Sequence, residues 1–347
     1  MTSMITNTSA MVALQTLRTI NSTLDTTNNH VSTGKRINSA SDGAAYWSIA
    51  TTLTSDNGAL GAVKDAMSLD KNSVDAASSG VNAVISSLSK IKNNLTAALS
   101  PNVDRAKLQT EISSYVSEIK TTANNTVMNG SNWLSADSSA TGFNATKNLL
   151  SSFSRTGSTV TVGSTAIDTG AFAIYDAATA GTSTGTSTTI DKAVTAVATA
   201  ANITGGATVA VDTAAGSLKG FMDTKFKIGG TATTGTESIA QFDVSTLGNT
   251  TADLAKIQAY VKIVDATMQQ LQNGATTLGT TSTRLESQQT FAQSLIDLNT
   301  SSIGSLVDAN MEEESTKLKA LQTQQQLAVQ SLSIANNSTQ NVMTLFR

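Results

Sequence analysis

Cysteine is absent from the 347 residues, so neither a disulfide nor a thiolate metal site can hold this chain together. A cytosolic protein and an exposed exported polymer would both tolerate that absence. His30 is the only histidine, which excludes a His-pair zinc site and the HExxH protease pattern. Pro101 is the only proline, so helix-breaking signals are nearly missing from both flanks. Aromatic residues make up 4 % and charged residues 14 %. The charged share is well below the roughly 25 % usual in soluble domains. With few large side chains, such a chain depends on long repetitive contacts or on many identical neighbours. A net charge of −3 spread along the chain gives no basic stripe for nucleic acid and no Lys/Arg cluster for an anionic membrane. No stretch approaches the roughly 18 apolar residues of a membrane span. The opening Met1–Ser9 has neither the basic nor the apolar region of a cleaved secretory leader, so export, if it occurs, is expected by another route.

What is present is helical periodicity. A 4-3 spacing from Ile49 runs through Leu53, Asp56, Leu60, Val63, Met67, Asp70, Val74, Ala77, Val81, Val84, Leu88, Ile91, Leu95 and Ala98, and only the two aspartates are polar. Pro101 ends that helix. Asn102 or Asp104 can cap a shorter one carrying Leu108, Ile112, Tyr115 and Ile119. The far end answers with a stripe from Leu254 to Leu306 in which only Ser282, Gln289 and Asn299 are polar. It loses phase through Asp308–Lys317. It resumes one position out of step as Leu318, Leu321, Gln325, Ala328, Leu332, Ala335, Thr339, Val342 and Phe346, which marks a joint between two helices. A shorter stripe opens the chain: Ala10, Leu14, Leu17, Asn21, Leu24, Asn28 and Val31. The economical pairing sets the first helix against the last, and the Ile49 helix against the Leu254 helix.

Between about Thr146 and Asn249 the composition changes. Residues 151–210 carry only five charges. Ser158–Val162 and Ala207–Val211 alternate like strands, and Gly181–Gly185 reads as a loop. The expected fold is mainly α, with long paired helices from both termini in coiled-coil-like bundles and a small β-hairpin. A β-rich or mixed outer domain completes it.

Catalytic signals are poor. His30 sits in a polar helical stretch and reads as a surface residue. Ser-x-x-Lys at Ser68–Lys71 and Ser87–Lys90 is expected by chance in so serine-rich a chain. Gly34-Lys35-Arg36 lacks the upstream glycine and the Ser/Thr of a P-loop. The run Glu312-Glu313-Glu314 reads as a solvated helix start near the positive dipole end. No enzyme, cofactor or metal site is expected.

The segment Ser32-Thr33-Gly34-Lys35-Arg36-Ile37-Asn38-Ser39-Ala40-Ser41-Asp42-Gly43-Ala44-Ala45 resembles the signature of the bacterial flagellins. The ending Asn341-Val342-Met343-Thr344-Leu345-Phe346-Arg347 is similar to that family's C-terminus. Val307–Glu314 resembles its E-D-A-D-Y-A-T-E stretch, with Met311 for the tyrosine and Asn310 for the second aspartate. The continuation Tyr46-Trp47-Ser48-Ile49-Ala50 looks most like rhizobial and related alphaproteobacterial flagellins. The likeness covers about residues 1–145 and 250–347.

That resemblance implies a structural subunit polymerising into the flagellar filament for motility. The alternative of the same plan is the hook–filament junction protein. It implies an inner helical domain of residues 1–41 with 308–347, a second shell of 42–145 with 251–307, and a variable solvent-facing domain of 146–250. The expected hairpin lies near Val127–Ala145. The expected polymerisation interface is Leu14, Leu17, Leu24, Val31, Arg36, Ile37, Asn38, Leu318, Leu321, Leu332, Val342 and Phe346. Partners would be further copies of the chain, other flagellins in a mixed filament, the export apparatus and its chaperone, and the hook-associated and cap proteins. The location would be the extracellular filament, reached through the flagellar type III pathway without a cleaved leader. The vertebrate Toll-like flagellin receptor reads a stretch matching Leu88–Leu95, so Lys90, Asn94 and Glu111 are the candidate receptor contacts. The plant receptor reads the segment matching Asn29–Ala50.

Overall fold

The structure is a computed structural model. It describes residues 7–138, 140, 143–157, 159–176, 188–201, 208–212, 220–229 and 235–345, with the side chains of 188–192, 235 and 338–345 left out. The chain divides into two compact units, Met1–Gly61 with Gln293–Arg347, and Ala62–Ala292. We call them the terminal unit and the central unit.

In the terminal unit, α1 (Thr8–Thr33) begins where the Asn7 side chain accepts from Ala10 N. It ends at Gly34, whose φ of 69° closes the C-cap; a residue with a Cβ would be strained there. The long helix α2 (Ala40–Ala97) opens here with a break at Gly43, and α5 (Thr251–Val307) finishes here. Asp308–Asn310 interrupt the chain before α6 (Met311–Leu345), where the sequence stripe loses phase. Asn7 donates to Ala335 O, Gln325 to Asn21, and His30 pairs with Glu314, so α1 and α6 run antiparallel. Every described member of the Leu318 stripe is covered or half-covered.

The opening stripe needs a correction. The covered side of α1 runs Ala10, Ala13, Leu17, Ile20, Leu24, Thr27 and Val31, whereas Leu14 and Asn28 point to solvent. Steps of three and four admit either register in so short and polar a helix. Packing on α6 selects the one that takes in Ile20 and buries Thr27.

The central unit is densely packed. Along α2, Val74, Val81, Val84, Leu88 and Leu95 are fully buried and Ile91 is nearly so; on α5 every seventh residue from Ile257 to Ala292 is buried. Burying each such side chain contributes about 1.5–3 kcal/mol, and Phe172, Phe221, Phe226 and Tyr260 are buried in the same unit. Lys92–Asp265 and Ser282–Asp75 tie α2 and α5 together at separated levels. The expected cap holds: Asp104 accepts from Ala106 and Lys107 N at the start of α3 (Arg105–Asn125). The hairpin β1 (Val127–Met128) and β2 (Ser131–Asn132) turns on Asn129-Gly130, both with positive φ, as a tight two-residue turn requires.

The middle segment is mixed. Strands β4 (Thr146–Thr156) and β5 (Thr159–Asp168) pair antiparallel across Gly157, with an irregularity between Leu150 and Ser152. Strand β3 (Ser135–Ala136) runs parallel to β6 (Tyr175–Asp176). Strands β7 (Thr208–Val211), β8 (Phe226–Gly229) and β9 (Gly235–Glu237) form an antiparallel sheet. Between β6 and β7 lies α4 (Thr188–Ala201), which the Thr/Ala-rich composition did not signal. Its Val194, Val197 and Ala201 are buried. The expected loop at Gly181–Gly185 lies outside the described residues.

Candidate assembly surface

In the terminal unit the usual relation between apolar side chains and burial is reversed. Among its described residues only Ile37, Ala50, Leu60, Val307 and Leu321 are buried hydrophobics. Met11, Val12, Leu14, Tyr46, Trp47, Ile49, Leu298, Met311, Leu327, Val329 and Ile334 are exposed. Ile334 is 70 % exposed and Val12 66 %. A helix pair with more large apolar side chains outside than inside is an unfinished core.

The signature segment builds the joint of this unit. Arg36 N and Ile37 N both donate to Val307 O, and Ala309 N donates to Gly34 O. Ile37, Ala50 and Val307 form a small core with Ile303 and Leu306 packed on it. Asp42 ties the loop down, accepting from Asn38 N, Ser39 N and the Ser39 hydroxyl. Those donors hold its carboxyl below the usual carboxylate range. Arg36 donates to Leu306 O at 3.0 Å and lies over the Tyr46 ring, 5.9 Å from its centroid.

Two readings of single residues change. His30 is not a bare surface residue: its Nδ1 lies 3.1 Å from Glu314, with 17 % of the side chain exposed. Glu314 is accordingly not solvated like Glu312 and Glu313, because α6 turns it inward against α1.

Of the expected interface residues, Leu17, Leu24, Val31, Leu318 and Leu332 are half-buried, and Leu321 and Ile37 are buried within their own unit. Leu14, Arg36 and Asn38 face solvent. The Val342 side chain and Phe346 lie outside the described residues. Sequence reasoning passed over Met11, Val12, Leu327, Val329 and Ile334. Being off the stripe was the available signal, since apolar residues on the far side of a helix need a second partner.

In the central unit the candidate receptor contacts come together. Asn94 donates to Glu111 at 2.9 Å, joining α2 to α3, and Lys90 lies over Tyr115 at 5.0 Å. Among the described residues no group of three or more His, Cys, Asp or Glu could hold a metal ion. No described helix is long and apolar enough to cross a membrane.

The family descriptions "Bacterial flagellin N-terminal helical region" and "Bacterial flagellin C-terminal helical region" match residues 4–139 and 261–346. Flagellin C of Rhizobium meliloti strain 1021 is 39 % identical over 350 residues, covering all of both chains. This chain belongs to the bacterial flagellins. Flagellin A of Rhizobium meliloti is 36 % identical over 403 residues and a Brucella melitensis flagellin 35 % over 349, each again over the full length of both. The flagellin is therefore a structural subunit of a flagellar filament, and the hook–filament junction reading is not favoured. The rhizobial likeness of Tyr46–Ala50 agrees with these relatives.

Proposed function

We propose that the terminal unit is the polymerisation module of this flagellin, its core completed by neighbouring copies in the filament. The observation that carries this is the excess of exposed over buried large apolar side chains on α1, α6 and the adjoining ends of α2 and α5. Alone, α1 has too little buried surface to offset the ordering entropy of its chain. Each exposed leucine or isoleucine covered by a neighbour adds about 1.5–3 kcal/mol. The interface on this reading comprises Leu14, Leu17, Leu24, Val31, Arg36, Asn38, Leu318, Leu332, Val342 and Phe346, with the exposed residues named above added and with Ile37 and Leu321 supporting it from inside their own unit. Residues 1–41 with 308–347 form the innermost layer of the filament, 42–145 with 251–307 the next, and 146–250 the outer one. Loosely held ends also suit passage through a narrow export channel. The further partners are the type III export apparatus, a chaperone, and the hook-associated and cap proteins, and the role is structural, without catalysis.

Hydrogen exchange on monomer and filament tests this. Both ends are expected to exchange fast in the monomer and slowly in the filament. Strong protection of both ends in the monomer refutes assembly-coupled ordering. Deleting residues 325–347 is expected to stop polymerisation while the central unit keeps its circular dichroism.

A further inference from the structure

The sequence contains three Asn-Gly pairs: Asn57-Gly58, Asn129-Gly130 and Asn273-Gly274. Such a pair carries its own chemistry. The glycine nitrogen, unhindered because its residue has no Cβ, can attack the carbonyl carbon of the asparagine side chain. A C–N bond forms, and the amide group leaves as ammonia with the proton that the glycine nitrogen gives up. A five-membered succinimide remains. Water then opens the ring at either carbonyl to give aspartate or isoaspartate, so the net reaction is asparagine plus water to acid plus ammonia. Before the attack, the asparagine backbone must rotate until its side chain faces the glycine nitrogen. Neither a right-handed helix nor a left-handed turn presents that geometry, so the cost of local opening separates the three pairs.

Two of them are locked. Asn57-Gly58 lies inside the 58 residues of α2 and Asn273-Gly274 inside the 57 of α5, where a helix spends each N–H on the carbonyl four residues back. The Asn57 side chain is also held, donating to Ile296 O at 3.3 Å and to Thr300 Oγ1 at 3.1 Å. Gly274 is buried against a neighbouring segment, and a Cβ on it would stand 2.8 Å from Ala171 O. Asn129-Gly130 has none of these restraints. Both residues are exposed, nothing lies within 4 Å of where a Cβ would stand on Gly130, and Asn129 holds a positive φ of 52°. Strands β1 and β2 are two residues each, with Val127 and Met128 exposed, and so short a hairpin opens at little cost. The chain beyond the turn stays anchored, because Asn132 donates to Ala123 O and Asn124 O and accepts from Leu134 N and Ser135 N. Asp42-Gly43 could close the same ring with loss of water, but three donors keep its carboxylate ionised and unreactive.

We propose that Asn129 is a self-modification site of this chain, cyclising onto Gly130 and maturing to aspartate and isoaspartate while Asn57 and Asn273 persist. The reaction needs only water, and it is independent of how the chain assembles. It places a carboxylate on a turn that carries no charge between Thr126 and Asn132. Isoaspartate also adds a backbone carbon where the tight turn pairs Met128 with Ser131, which breaks that register, and the bonds of Asn132 confine the change to the turn.

The full-length soluble chain is incubated in heavy-oxygen water at mildly alkaline pH, then digested with trypsin in ordinary water and read by mass spectrometry. Peptides 37–64, 121–147 and 263–284 each carry one Asn-Gly pair, so the three sites report separately. Heavy oxygen, and labelling by a methyltransferase specific for isoaspartate, are expected at Asn129 roughly a hundredfold or more faster than at the other two, because opening a long packed helix approaches global unfolding. In denaturant all three are expected to react alike, which assigns the selectivity to the fold. Asn129→Gly, which tolerates the positive φ, is expected to abolish the signal in 121–147 with circular dichroism unchanged. Comparable rates at the three sites in the folded chain, a difference that persists in denaturant, or a signal that survives Asn129→Gly overturns the proposal. If Asn129→Gly fails to fold, the comparison of the three wild-type peptides still decides.

Discussion

Arg105 offers the sharpest test of how the central unit is held. It is 9 % exposed and spends its donors on carbonyl and amide oxygens. Nε donates to Ala98 O at 2.8 Å, Nη1 to Leu247 O at 2.9 Å and Gly248 O at 2.7 Å, and Nη2 to Asn249 Oδ1 at 2.8 Å. One side chain thus joins the end of α2, the start of α3 and the loop that leads into α5. Arg105→Ala leaves three carbonyls without their donor. Only Ala98 O belongs to a buried residue, while Leu247 is half-buried and Gly248 exposed, so at about 1–3 kcal/mol for the unsatisfied buried acceptor, plus the lost packing of the stem, the cost is about 2–4 kcal/mol. Arg105→Lys keeps the charge but cannot reach four acceptors as a planar fork does, and should cost about half as much. Trp133 is buried in the same unit, so urea unfolding followed by its fluorescence in a Trp47→Phe background reads the effect. With a slope of about 3 kcal/mol per molar, Arg105→Ala should lower the midpoint by about 1 M. A shift under about 0.3 M refutes the clamp.

Three further outcomes are expected. Asp42 should titrate below its ordinary value of 3.8, as carboxyl-carbon NMR can show; its share of the loop's order is present above the unfolded pKa and lost as pH falls through the lowered folded one. A titration at or above 3.8 refutes that. Replacing residues 177–219 by a short Gly/Ser linker should leave filament assembly intact, because Phe221 N donates to Ala173 O and Met222 N to Ile174 O, so the cut ends lie side by side. A cut reaching Val244 would also remove the Gln109 contacts to Phe242 O and Val244 N, and is expected to destabilise α3. The monomer should be a weak agonist of the vertebrate flagellin receptor, because the Asn94 amide is committed to Glu111 and Lys90 lacks the arginine fork. A reporter-cell dose response equal to that of a strongly agonistic enteric flagellin refutes it.

The periodicity of α2 and α5 was legible because their stripes run through many heptads, and a long repeat leaves one register with most of its apolar residues inside, although Ile49 at the start of the α2 stripe is exposed. The Asp104 cap, the break at Pro101 and the joint after Val307 were legible for a related reason: each is a local rule of backbone geometry. The signature segment carried the family, and the joint it builds explains why those residues stand together. Short elements were not legible in this way. In α1, steps of three and four fit almost equally well, and contact with α6 chose Thr27 over Asn28. Helix α4 is Thr/Ala-rich, and its valines count as core only once the neighbouring strands cover them. The sequence by itself determined that this chain makes long paired helices with a variable insert, since periodicity and capping act within a few residues. Only the tertiary structure decided that His30 meets Glu314, that Arg105 binds three segments at once, and that Tyr46 and Trp47 face outward. Those facts depend on residues far apart in the chain, and on which apolar side chains remain uncovered once the rest have packed.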